Sequence, residues 1–100
     1  MRARNTNRSG GSWTEVQKRA VWAKAATVPG YNPGEWRRDA CGTVIRWSDH
    51  GATTRFGWEV DHLIPVARGG GDQLTNLQAL HWATNRSKGD TFPWACRRSA

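Results

Sequence analysis

The chain has 100 residues, a formal net charge of +7 and a pI near 10.8, with seven tryptophans and two cysteines. That length suits one small domain, burying roughly 60–65% of its unfolded-chain surface, and the longest apolar stretches, 20–23 and 63–67, are far too short to span a bilayer. Two cysteines, Cys41 and Cys96, build neither a disulfide framework nor a four-cysteine zinc site, and the excess of positive charge favours a polyanionic partner, nucleic acid first.

Residues 1–12 read as a disordered basic arm: polar, with Gly10-Gly11 near its end and no apolar period. No apolar run follows Met1-Arg2-Ala3-Arg4, so no secretory leader is expected, and with reduced thiols a cytoplasmic protein is expected. Ser12 and Glu15 fit a capping box, and Trp13, Val16, Ala20 and Ala23 recur at helical spacing, so a helix is expected over 13–26. It ends before Val28-Pro29, because a residue preceding proline is biased out of the helical region. A turn-rich connector over 29–34 leads to a short helical turn at 35–40. Residues 42–47 have strand composition, and 48–51, with His50, form a turn. Residues 58–64 alternate apolar and polar side chains, as in a half-buried strand, and Pro65 ends it. A glycine loop at 68–72 precedes a returning strand at 76–80 and a helix at 81–88, stopped by Gly89. The seven tryptophans show no period and are expected mostly in the core.

The chemistry concentrates between Gly57 and Asp90. Asp61 and His62 close a strand, Asn76 follows a glycine-rich loop, and His81 and Asn85 lie four apart on the last helix, where they share a face. Aspartate oxygen, asparagine oxygen and histidine nitrogen suit a hard or borderline divalent ion such as Mg²⁺, Mn²⁺ or Zn²⁺. His62 is a candidate general base, the role imidazole most often fills, and Arg86 and Lys88 can hold phosphate oxygens.

The ordered string Glu59-Val60-Asp61-His62-Leu63-Ile64-Pro65-Val66, Gly69-Gly70, Asn76-Leu77-Gln78 and Asn85-Arg86-Ser87-Lys88-Gly89-Asp90 resembles the HNH endonuclease motif over about a third of the chain. More weakly, 39–45 resembles the strand that precedes the motif in small bacterial and phage HNH proteins. The resemblance implies an α+β fold: a small single domain over 13–96, with an N-terminal helix and a ββα-metal finger, followed by a basic tail at 97–100. It implies that Asp61 and Asn85 bind the ion, joined by His81 as an extra ligand; that His62 is the base; and that Asn76 ties the loop and orients the histidine. Asn85 at the last motif position makes this a His-Asn-Asn variant.

Many family members carry two Cys-x-x-Cys pairs for a structural zinc. Here those positions correspond to Arg38, Cys41, His81 and Thr84, so no structural zinc is expected, and His81 could equally be a structural remnant of that site. The function implied is metal-dependent hydrolysis of DNA phosphodiesters, by nicking or double-strand cleavage, with one Mg²⁺ or Mn²⁺ ion per monomer or per subunit of a weak homodimer. Its rival is a catalytically inactive nucleic-acid-binding module on the same scaffold; a zinc-ribbon interaction domain is disfavoured by the missing cysteines. Removing 1–12 and 97–100 leaves ten basic and eight acidic side chains, so most of the net charge sits in the two tails.

Overall fold

In the computed structural model, which describes residues 2–96, the first regular element is helix α1, Glu15–Lys24. Thr14, rather than Ser12, is its N-cap: the Thr14 hydroxyl accepts the Gln17 amide at 3.1 Å, and the Gln17 side chain accepts the Thr14 amide at 2.9 Å. The box lies two residues later than expected, which leaves Trp13 outside the helix and free to turn into the core. The helix also ends earlier than expected, because Ala26–Thr27 form a short strand, β1.

Strand β2, Trp36–Arg38, replaces the helical turn expected over 35–40. It pairs antiparallel with β1 and with β3, Val44–Arg46, placing Arg37 opposite Ile45. Local propensity at 35–40 is overridden by this pairing on both sides. The turn from β2 to β3 hangs on the buried Asp39, whose Oδ1 accepts the Cys41 and Thr43 amides at 2.9 and 2.8 Å. Its Oδ2 accepts the His81 amide at 2.8 Å, so one carboxylate joins the first sheet to the second.

The second sheet pairs β4, Trp58–His62, with β5, Leu77–His81, antiparallel along their full length. Helix α2, Trp82–Lys88, follows β5 directly. All five β4 residues are buried, where alternation suggested a half-buried strand. One face, carrying Trp58 and Val60, enters a core built with Trp13, Val21, Trp22, Ile45, Leu77 and Ala79. The other carries Glu59 and Asp61 and is covered by α2, so its polar residues are enclosed rather than solvated. Trp22, Trp47 and Trp58 form a three-way aromatic cluster with centroids 5.2–5.8 Å apart. Such pairs contribute about 0.5–1.5 kcal/mol each beyond the area they bury.

The expectation of two reduced thiols is corrected: Cys41 and Cys96 form a disulfide, with Cα atoms 5.3 Å apart across a separation of 55 residues. Cys41 lies in the turn held by Asp39, and the segment after α2 returns to it, a meeting that sequence spacing alone does not reveal. The described part of the basic arm, residues 2–12, closes turns of its own and bonds to the second sheet. The basic tail placed at 97–100 lies outside the described residues. Among the described residues no helix is long and apolar enough to cross a membrane.

Candidate functional site

Residues two apart on a strand share a face, so Glu59 and Asp61 both point at α2. One helical turn separates Asn85 from Lys88, and each meets one of these carboxylates. Asn85 Nδ2 donates to Glu59 Oε1 at 2.9 Å. Lys88 Nζ lies 3.3 Å from Asp61 Oδ1 and donates to the His62 carbonyl at 3.0 Å, while Gln78 Nε2 donates to Asp61 Oδ2 at 2.9 Å. Burial pushes the Asp61 carboxyl above the usual carboxylate range, and the Gln78 hydrogen bond and the Lys88 charge only partly offset it.

His62 leaves β4 on the opposite side. Its Nε2 is 2.8 Å from Asp72 Oδ1, and its ring lies 5.5 Å from that of Trp13, whose buried Nε1 has no hydrogen-bond partner among the described residues. Burial raises the Asp72 carboxyl, but hydrogen bonds from His62 and from the Arg8 amide outweigh it and hold the group below its ordinary value. An ionised carboxylate only accepts, so His62 Nε2 carries the proton and neutral His62 presents Nδ1 as its basic nitrogen.

Asn76 closes the connection between β4 and β5. Its Oδ1 accepts the Ile64 amide at 2.8 Å, and its Nδ2 donates to the Ile64 and Gly71 carbonyls at 3.1 and 2.9 Å. This clasp fixes both ends of the loop that carries Asp72. Gly70 lies inside it, where a Cβ would stand 1.7 Å from the Ile64 carbonyl oxygen.

A small cavity of about 60 Å³ opens at Asp61, His62, Asn85 and Lys88, with Arg2 and Arg4 on its rim. The structure thus brings Asp61, His62 and Asn85 together. His81 is elsewhere: it caps α2, its Nδ1 accepting the Ala83 amide at 3.1 Å, and its Nε2 lies 2.8 Å from the Arg55 carbonyl. It stands three residues along β5 from Gln78, the partner of Asp61, roughly 10 Å away. Lys88, expected to meet phosphate at the surface, is buried against Asp61. Arg86 is exposed, its guanidinium 4.9 Å from the Trp82 ring centroid.

Glu59, Asp72 and Asn5 also belong to this neighbourhood, and motif reasoning left them out. The alternation of β4 already places Glu59 beside Asp61, so that signal was available. Asp72 follows three glycines, whose conformational freedom hides where the next side chain points. Asn5 reaches β4 from an arm with no sequence pattern linking it there.

The residues present fit a hard divalent ion. Asp61 is a buried carboxylate paired with Lys88, and Asn85 borders the same cavity. With His81 absent from the cleft, Asp61 and Asn85 offer oxygen donors, the ligand type that hard divalent ions take. Among the described residues no group of three or more histidine, cysteine, aspartate or glutamate side chains could hold a metal. That is compatible with Mg²⁺, which uses one or two carboxylates and fills its shell with water and substrate phosphate.

No curated protein and no solved structure matches the chain. The family model for the HNH endonuclease matches residues 41–91, half of the chain, and spans every element of the cleft except the arm. With the β4–β5 pair and α2 framing that cleft, the chain belongs to the HNH endonuclease family.

Proposed function

We propose that this chain is a divalent-metal-dependent endonuclease that hydrolyses DNA phosphodiester bonds. The observation that carries the reading is the adjacency of Asp61 and His62 in β4. Strand alternation turns one toward α2, where Asn85 and Lys88 lie, and the other toward a carboxylate orienter, yet both line one cleft.

Asp61 and Asn85 are the residues that would hold the ion. When bound there, Mg²⁺ or Mn²⁺ supplies Lewis-acid stabilisation of charge on the phosphate and leaving oxygens. His62 Nδ1 takes the proton of the attacking water, and Asp72 stabilises the imidazolium that results. The Trp13 ring limits bulk water on that side. Asn76 keeps the Asp72 loop in register and thereby the imidazole. Arg86 offers a surface contact to DNA phosphate, whereas the buried Lys88 balances Asp61. Products with 5′-phosphate and 3′-hydroxyl ends are implied by the resemblance, and one cleft per chain cuts one strand per event.

The test is plasmid nicking with Mn²⁺. His62→Ala should keep its fold and lose about 10²–10⁴-fold in rate, the usual contribution of a general base. EDTA should abolish cleavage, and added Mg²⁺ or Mn²⁺ should restore it. Wild-type-like cleavage by clean His62→Ala protein, or cleavage persisting in EDTA, overturns the reading. The Lys88–Asp61 ion pair favours the rival, a binding module without catalysis, since it neutralises the carboxylate. DNA binding with no metal-dependent nicking by the wild-type protein would select that rival.

A further inference from the structure

The N-terminal arm lies outside the segment matched by the family, yet it is anchored to the cleft on both sides. Strand β4 pairs with β5 on one edge; on the other, among the described residues, an isolated parallel bridge joins His50 to Trp58, and the rest of that edge has no strand partner. Asn5 takes an amide there: its Oδ1 accepts the Val60 amide at 2.8 Å and lies 3.0 Å from His50 Nε2. Asn5 holds a left-handed backbone at φ 58°, a conformation asparagine tolerates better than most residues. On the far side the Arg8 amide donates to both Asp72 oxygens, at 3.0 and 3.1 Å.

These anchors set Arg2 and Arg4 on the rim of the cavity that holds Asp61, His62 and Asn85. Arg2 is steadied by its Nη1, which donates to the Thr6 carbonyl at 2.9 Å and the Thr6 hydroxyl at 3.2 Å. Arg4 Nε forms an ion pair with Glu59 Oε1 at 3.7 Å, too long for a hydrogen bond, and its side chain is 49% exposed, so the guanidinium is held at the cleft and can still meet phosphate. Two guanidinium groups at fixed positions on the mouth of a cleft match backbone phosphate, whose oxygens they can bind as planar forks.

We propose that Arg2 and Arg4 form a phosphate subsite at the rim of the cleft, engaging the nucleic-acid backbone beside the phosphate presented to His62. The proposal rests on the nuclease reading for its substrate. It separates an anchored subsite from a tail that attracts DNA by charge alone.

The experiment measures duplex DNA binding in EDTA over a salt series, with the full chain carrying His62→Ala so that nothing is cut. Each phosphate contact removed should flatten the slope of log affinity against log salt by roughly 0.9. Arg2→Gln with Arg4→Gln should therefore flatten it by roughly 1.8, and the same pair in the active protein should raise KM more than it lowers kcat. Asn5→Ala changes no charge; if it stays folded by its thermal midpoint, it should weaken binding in the same direction. Arg19→Gln, on the exposed part of α1, should alter the slope less. Equal slopes in the double variant and its parent overturn the subsite, as does an equal effect from Arg19→Gln. Faster cleavage by the double variant also overturns it, because the arm would then be a shield. Salt-dependent binding that needs Arg2 and Arg4, with no cleavage by the wild-type protein, would sink the nuclease reading and leave the subsite standing.

Discussion

The three histidines differ in what their ring nitrogens meet. His62 faces the Asp72 carboxylate, His81 is committed to capping α2, and His50 lies within 3.0 Å of Asn5 Oδ1. Only an N–H can make that last contact, since the amide oxygen accepts, so the folded protein keeps an Nε2–H on His50. Burial, with the Lys18 charge adding to it and Glu15 opposing, lowers the His50 pKa to about 4, below the 6.5 of an unperturbed imidazole. The unfolded chain therefore binds this proton first as the solution is acidified. The stability tied to neutral His50 is complete above pH 6.5 and is lost progressively as pH falls toward 4. Thermal midpoints followed from pH 7 down to about 4.5 should drop more steeply in wild-type protein than in His50→Gln, which removes the titration and retains an amide N–H. Parallel pH profiles would show that other groups, not His50, set the acid limb.

At the scale of elements, the β4–β5 connection shows why a glycine run is ambiguous in sequence. Gly69-Gly70-Gly71 carry no side chains to obstruct an approaching DNA backbone, but the space beside Gly70 is filled by the protein itself. A Cβ there would meet the Ile64 carbonyl oxygen at 1.7 Å and Asn76 Nδ2 at 2.9 Å. At Gly71 the nearest obstacle is Gln73 Oε1 at 2.6 Å, the end of a flexible side chain. Gly70→Ala should cost about 1–3 kcal/mol or more, as overpacking against backbone does, and slow cleavage by displacing Asp72 from His62. Gly71→Ala should be near neutral in both readouts, and denaturant midpoints with initial nicking rates distinguish them. Equal effects would mean the loop tolerates movement at Ile64.

Elements with a repeating pattern or a terminal signal were legible in the chain: both helices, β3, β4, β5, and the Gly89 stop of α2. Strands β1 and β2 were not, because two and three residues are too few to carry a period and their pairing is non-local. The placing of Asp61, His62 and Asn85 in one cleft follows from the motif string. The positions of Asp72 and Asn5 depend on backbone turns that single-chain patterning does not encode.

For the whole molecule, covalent closure matters as much as the core. The family-matched segment, 41–91, lies entirely within the loop closed by the Cys41–Cys96 disulfide. That bond ties the Asp39-held turn of the first sheet to the chain beyond α2, so it restrains both sheets and the helix that carries Asn85. A small domain buries a modest core, and a cross-link over a 55-residue separation restricts its unfolded ensemble substantially. Cys41→Ser should therefore lower unfolding stability by about 2–4 kcal/mol at neutral pH. Wild-type protein held in reductant should fall to nearly the same denaturant midpoint, while the variant is indifferent to reductant. Peptide mass mapping without reduction should recover the Cys41 and Cys96 peptides joined. A Cys41→Ser midpoint equal to that of the oxidised wild type would mean that the tryptophan core and the Asp39 clasp hold the two sheets together without the bond.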